Sequence, residues 1–150
     1  MLKATKIKDL LKGNMKIPQF DHVVANKARD FQKQLTKPEG SLGKLEDIAI
    51  WMAGWQKTIK PTIKKPQCII FAGNHGISNK GVSAYPSEVT AQMVENFKQG
   101  GAAINQLCKL AKIKLSVIPI DLDKPTMDFS ESKAMSEEEV FSFMQLGFDS

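Results

Sequence analysis

Apolar positions along the chain follow helical spacing in some stretches and unbroken runs in others, and the order of the two kinds predicts the architecture. Residues 3–12 are amphipathic and basic and predict a short helix, which Pro18 separates from the next element. Asp21 is placed to cap a helix running to about Leu35, with Val23, Val24, Ala28, Phe31 and Leu35 on one face. The segment KPEGSLGKLE, residues 37–46, interrupts the helical spacing, because Pro38, Gly40 and Gly43 are loop signals. A strongly apolar helix is expected from Leu45 to about Gln56, carrying Ile48, Ala49, Trp51, Met52 and Trp55.

Pro61 and Pro66 bracket a linker. Gln67–Ala72 (QCIIFA) is then a short apolar run without alternation, which predicts a strand buried on both faces, as in parallel sheets. A glycine-rich loop spans residues 73–86, and Ser87 opens a helix to about Lys98 with Glu88 in its first turn. Gly100 and Gly101 stop that helix, Ala102–Leu110 reads as another, and Lys114–Ile120 (KLSVIPI) is a second strand. Asp121–Asp128 is loop, and Ser136 with Glu139 forms a capping box that opens a last helix toward Gly147. Strands separated by helical crossovers imply parallel pairing and an α/β fold. Residues 1–60 are the helical segment and 61–150 the first strands and helices of the α/β part. Two parallel strands cannot cover their own faces and edges, so exposed apolar surface and self-association are expected.

Composition narrows the function classes. The chain has 150 residues and a net charge of +5, but its lysines are spread along the sequence. No basic block with interleaved aromatics points to nucleic acid. Cys68 and Cys108 each lie in an apolar stretch with no CxxC spacing, which suits buried thiols in a reducing compartment. The N-terminal stretch lacks the long apolar run and small-residue cleavage site of a secretory signal. No segment approaches the roughly 18 apolar residues of a membrane span, so a cytoplasmic protein is the expectation.

Three stretches carry candidate chemistry. Gly40-Ser41-Leu42-Gly43-Lys44 looks superficially like a phosphate loop, but its spacing is too short and Leu45 stands where a hydroxyl is needed. It reads as a tight inter-helix turn whose glycines permit positive φ. Gly73-Asn74-His75-Gly76 follows a strand directly, where open α/β sheets place ligand sites. Asn74 and His75 there are compatible with metal-bearing phosphoesterase motifs, yet His22 and His75 are the chain's two histidines, and a metal site is short of ligands. The alternative is that both side chains bond loop carbonyls. The third stretch, residues 76–105, carries Tyr85-Pro86 and a helix with Val89, Met93, Val94 and Phe97 on one stripe. That stripe is core packing, or else Tyr85 and Met93 wall a site for a flat aromatic ligand.

Taken in order, Lys37–Glu46, Phe71-Ala-Gly-Asn-His-Gly76, Gly81-Val-Ser-Ala-Tyr-Pro86, Val89-Thr-Ala-Gln-Met-Val94, Gly100-Gly-Ala-Ala-Ile-Asn105 and Asp121-Leu-Asp-Lys-Pro-Thr126 resemble the nicotinate-nucleotide–dimethylbenzimidazole phosphoribosyltransferases. The resemblance covers about residues 30–147. It implies part of a doubly wound parallel-sheet domain preceded by a small helical segment. It also implies transfer of 5-phosphoribose from nicotinate mononucleotide to 5,6-dimethylbenzimidazole, giving α-ribazole 5'-phosphate for the lower ligand of cobalamin. The family uses no cofactor and forms homodimers, so a homodimer, or association with the missing C-terminal part, is expected. By motif position Tyr85 and Met93 face the base; family members often carry smaller or more polar residues there. Ser83, Glu88 and Asn74 stand near that pocket, Glu88 in a position that also suits helix capping, and His75 shapes the loop after the strand. The family's general base is a glutamate near its C-terminus, expected beyond Ser150, and its phosphate loop also lies in the second half. The 150 residues alone are therefore expected to be inactive. Two other readings remain open: a non-catalytic fragment that binds a base or a partner, and a metal-dependent phosphoesterase.

Overall fold

The computed structural model describes residues 12–13 and 18–150, so the helix expected over residues 3–12 lies almost wholly outside the described residues. The described chain divides into two compact units, one of residues 18–64 and one of residues 12–13 with 65–150.

The first unit is a helical pair. Helix α1, His22–Gln32, starts where Asp21 accepts the Val24 amide at 2.9 Å, which satisfies one of the free donors of the first turn. Its buried residues are Ala25 and Ala28. Val23, expected on the inward face, is exposed, and Leu35 lies beyond the helix end. The stripe that packs is thus set by small side chains that let α1 approach α2, Lys44–Gln56, rather than by the largest apolar ones. On α2 the buried positions are likewise small, Ala53 and Gly54. The Phe20 ring presses on Gly54 and meets Trp55 edge-on, with centroids 5.5 Å apart. The Asp21 amide donates to the Gly54 carbonyl at 3.1 Å.

The turn between the helices has positive φ at Gly40 and Gly43, +73° and +53°. Glu46 closes it: one carboxylate oxygen accepts from Lys37 Nζ at 2.6 Å and from the Leu42 amide at 3.1 Å. The Lys37 hydrogen bond, then the Leu42 amide, holds the Glu46 carboxyl below its ordinary value.

The second unit is α/β. Strands β1, Gln67–Gly73, and β2, Lys114–Ile120, pair in parallel from Gln67↔Lys114 to Gly73↔Ile120. Parallel strands need a long crossover, which is supplied by a 3-10 turn at Gly76–Lys80, helix α3 at Glu88–Gln99 and helix α4 at Ala103–Leu110. Gly100 ends α3 in the left-handed region at φ +80°. Asn105 then fixes the corner: its Oδ1 accepts the Ala102 amide at 3.2 Å and its Nδ2 donates to the Phe97 carbonyl at 2.9 Å. Helix α5, Glu137–Asp149, follows β2 and opens with the expected Ser136–Glu139 capping box.

One expectation needs correction. β1 was expected to be buried on both faces, but its middle residues are half-buried and Phe71 is exposed. Among the described residues the sheet has two strands, so the apolar run faces less cover than its composition suits. No helix among the described residues is long and apolar enough to cross a membrane.

Candidate functional site at the carboxyl end of the sheet

Beyond Gly73 the chain is stitched to the loop that follows β2. Asn74 Nδ2 donates to the Leu122 carbonyl at 2.8 Å, and the Thr126 amide donates to the Asn74 carbonyl at 3.1 Å. His75 bridges Thr126 in parallel register, with Nδ1 3.3 Å from the Thr126 hydroxyl. Asn74 thus bonds a carbonyl of the opposite loop, as the hydrogen-bonding alternative expects, whereas the His75 ring meets a hydroxyl there instead of a carbonyl. Farther along, Lys80 Nζ lies 3.1 Å from Asp128 and 2.7 Å from Glu131. Glu131 first, then Asp128, raises the ammonium above its ordinary value. The Asp128 carboxyl is lowered, chiefly by the Ser130 hydroxyl.

Between β1, the 77–86 stretch and α3 lies a hollow of about 500 Å³. Asn74, His75, Ser83, Tyr85 and Met93 all line it. Tyr85 is 70% exposed and Met93 37%, so both stand at the open side and not in packed core. Val94, on the same stripe, is buried, while Val89, Met93 and Phe97 face the hollow. The stripe therefore divides between a buried position and positions that line the hollow. Glu88 does not line the hollow; it is exposed in the first turn of α3. Ser83 Oγ accepts the Tyr85 amide at 3.3 Å. Ser78 and Ser87 also line the wall, their hydroxyls 3.1 Å apart, and Ser78 donates to the His75 carbonyl at 2.6 Å. Sequence reasoning missed this serine pair, since nothing in the pattern joins residues nine apart across a 3-10 turn.

A second hollow of about 470 Å³ flanks the other side of the strand tip and shares Phe71, Gly73, Asn74 and His75 with the first. Its far wall comes from Asp121 and Lys124–Met127, from Met135 ahead of α5, and from Glu139 and Phe143 on α5. Lys124 Nζ pairs with Glu139 at 3.2 Å. The Ser136 amide, then Lys124, holds Glu139 below its ordinary value. The capping box was legible, but not that α5 stands across a hollow from the strand tip. Among the described residues no group of three or more His, Cys, Asp or Glu could hold a metal ion. The phosphoesterase reading therefore has no donor set here.

Chemically, the first hollow offers apolar and aromatic side chains with a few hydroxyl and amide groups at its edge. That mixture suits a flat, mostly apolar ring with polar atoms at its periphery.

A family model described as phosphoribosyltransferase matches residues 17–150. A nicotinate-nucleotide–dimethylbenzimidazole phosphoribosyltransferase of Cereibacter sphaeroides is 50% identical over 133 residues, covering 89% of this chain and 39% of the relative. One of the same name from Jannaschia is 57% identical over 116 residues, covering 77% of this chain and 34% of the relative. The crystal structure of such an enzyme from Thermus thermophilus superposes with a TM-score of 0.67 at 36% identity, covering 79% of this chain and 41% of that one. The chain spans about two fifths of the length of relatives it matches. On the match across residues 17–150 and these identities, the chain belongs to the nicotinate-nucleotide–dimethylbenzimidazole phosphoribosyltransferase family.

Proposed function

We propose that these residues hold the base in an enzyme that moves 5-phosphoribose from nicotinate mononucleotide to a ring nitrogen of 5,6-dimethylbenzimidazole, giving α-ribazole 5'-phosphate. The observation that carries the reading is the convergence of Asn74, His75, Ser83, Tyr85 and Met93 on one hollow at the carboxyl end of β1. The reaction breaks the glycosidic bond to nicotinate, which leaves, and builds positive charge on the ribose. One benzimidazole nitrogen attacks as the other gives up its proton to a base. The part proposed for this chain is to seat the ring against Tyr85 and Met93 and to orient its edge with the polar groups beside them. The family places its general-base glutamate and phosphate loop in its second half. These 150 residues are accordingly proposed to bind the ring without turning it over. Cytoplasmic residence, and work as a homodimer or in association with the family's second half, belong to the same proposal.

The test is a titration of the purified chain with 5,6-dimethylbenzimidazole, alongside a transfer assay with nicotinate mononucleotide. Saturable binding weakened by substitution at Tyr85 or Met93 supports the reading. Formation of α-ribazole 5'-phosphate by the 150-residue chain overturns the binding-only part. No saturable binding overturns the base site.

A further inference from the structure

Among the described residues, the wall of the first hollow that carries Tyr85 has little internal support. The hydrogen bond within Val82–Tyr85 is local, from the Tyr85 amide to Ser83 Oγ. The position of this wall therefore depends on how its two ends are held. At one end Pro86 leads into α3, where the Val89 amide donates to the Pro86 carbonyl at 3.1 Å. At the other end is Lys80, last residue of the 3-10 turn, followed by Gly81 at φ +74°.

Lys80 is anchored unusually well for a surface lysine. Its ammonium has three donors, and three acceptors lie within reach: Asp128 Oδ2 at 3.1 Å, Glu131 Oε1 at 2.7 Å and Ser130 Oγ at 2.8 Å. The acceptor side is itself ordered. Asp128 Oδ1 takes the Ser130 amide at 2.8 Å and the Ser130 hydroxyl at 2.7 Å. The Asp128 carbonyl accepts the amides of Glu131 and Ser132 at 3.1 and 3.0 Å. A network of this kind outweighs an isolated surface pair, because the partners are already held in place before the lysine arrives.

We propose that Lys80 is a positioning residue for the ring hollow: its link to Asp128, Ser130 and Glu131 sets where the Val82–Pro86 wall, and with it Tyr85, stands. The substrate side of this statement rests on the base-binding reading above; the geometric side does not.

The chain has a single tyrosine, so 3-fluorotyrosine gives one ¹⁹F resonance that reports on Tyr85 alone. In the labelled 150-residue chain, Lys80→Met is expected to shift or broaden that line and to weaken 5,6-dimethylbenzimidazole about fivefold, the scale of one well-formed exposed ion pair. Lys80→Arg is expected to restore both, because a guanidinium can reach the same carboxylates. If Lys80→Met does not fold, Asp128→Asn with Glu131→Gln removes the charge from the opposite side and is expected to move the same line. A Tyr85 line and a ring affinity both unchanged in Lys80→Met would overturn the proposal. A wild-type chain whose line ignores dimethylbenzimidazole would sink the base-binding reading, and the ligand-free line would then decide the role of Lys80 by itself.

Discussion

Gly76 lies directly against Thr126: its amide donates to the Thr126 carbonyl at 2.8 Å, and a Cβ built on it would stand 2.6 Å from that oxygen. The Asp128 amide would be 2.7 Å away. Both neighbours are backbone, so neither can rotate aside. Gly76→Ala is expected to destabilise the α/β unit by about 1–3 kcal/mol, the range for overpacking. Thermal or urea unfolding measures it. A variant as stable as wild type would show that the two loops separate easily.

Tyr85 and Met93 contribute to the first hollow from different elements, a loop and α3. Truncating either to alanine is expected to weaken 5,6-dimethylbenzimidazole by about 3- to 10-fold, the scale of one lost aromatic or sulfur contact. Glu88→Gln is expected to leave the affinity unchanged, since Glu88 does not line the hollow. A Glu88 effect as large as that of Tyr85 would move the ring elsewhere.

Glu46 and Glu139 are both held below the ordinary value of 4.5, by Lys37 with the Leu42 amide and by the Ser136 amide with Lys124. A carboxyl depressed in the native state binds its proton less readily there than in the unfolded chain. Its contribution is complete above the ordinary value and is lost as pH falls through the depressed one. Melting temperature is thus expected to fall below about pH 4.5, and Glu46→Gln with Glu139→Gln to lower it at neutral pH and flatten the acid limb. Equal acid slopes in the variant and wild type would assign the acid sensitivity to other groups.

Ser136 and Glu139 cap α5 reciprocally: the Glu139 amide donates to Ser136 Oγ at 3.2 Å and the Ser136 amide to Glu139 Oε2 at 2.8 Å. Ser136→Ala is expected to cost about 1 kcal/mol. Because α5 also walls the second hollow, faster hydrogen exchange should extend from the first turn of α5 to Phe143. Exchange confined to the first turn would mean that α5 is held from elsewhere.

Local rules made most elements legible. Asp21 and the Ser136–Glu139 box marked helix starts, Gly100 marked a stop, and β2 falls on Lys114–Ile120 as its apolar run predicts. Resemblance by motif order brought five residues to one hollow, though they lie on a strand tip, a loop and a helix. The patterns failed where the deciding partner is distant in sequence. Val23 is apolar but points away, because Ala25 and Ala28 let α1 approach its neighbour more closely. β1 reads as doubly buried because composition records the environment a strand suits, not how many neighbours it has. The Lys80 anchor joins residues about fifty apart, and no periodicity marks such a pair.

Each strand of the sheet has one partner among the described residues, leaving a seven-residue margin on either side, roughly 23 Å of backbone at strand rise. Amides and carbonyls along such a margin form a template that accepts any extended polypeptide matching its spacing, with little regard to side chain. At high concentration a chain of these residues alone is expected to lengthen its sheet with an extended segment, its own copies included. A polypeptide that fills those margins should raise solubility and melting temperature together, and would do so without touching the ring hollow.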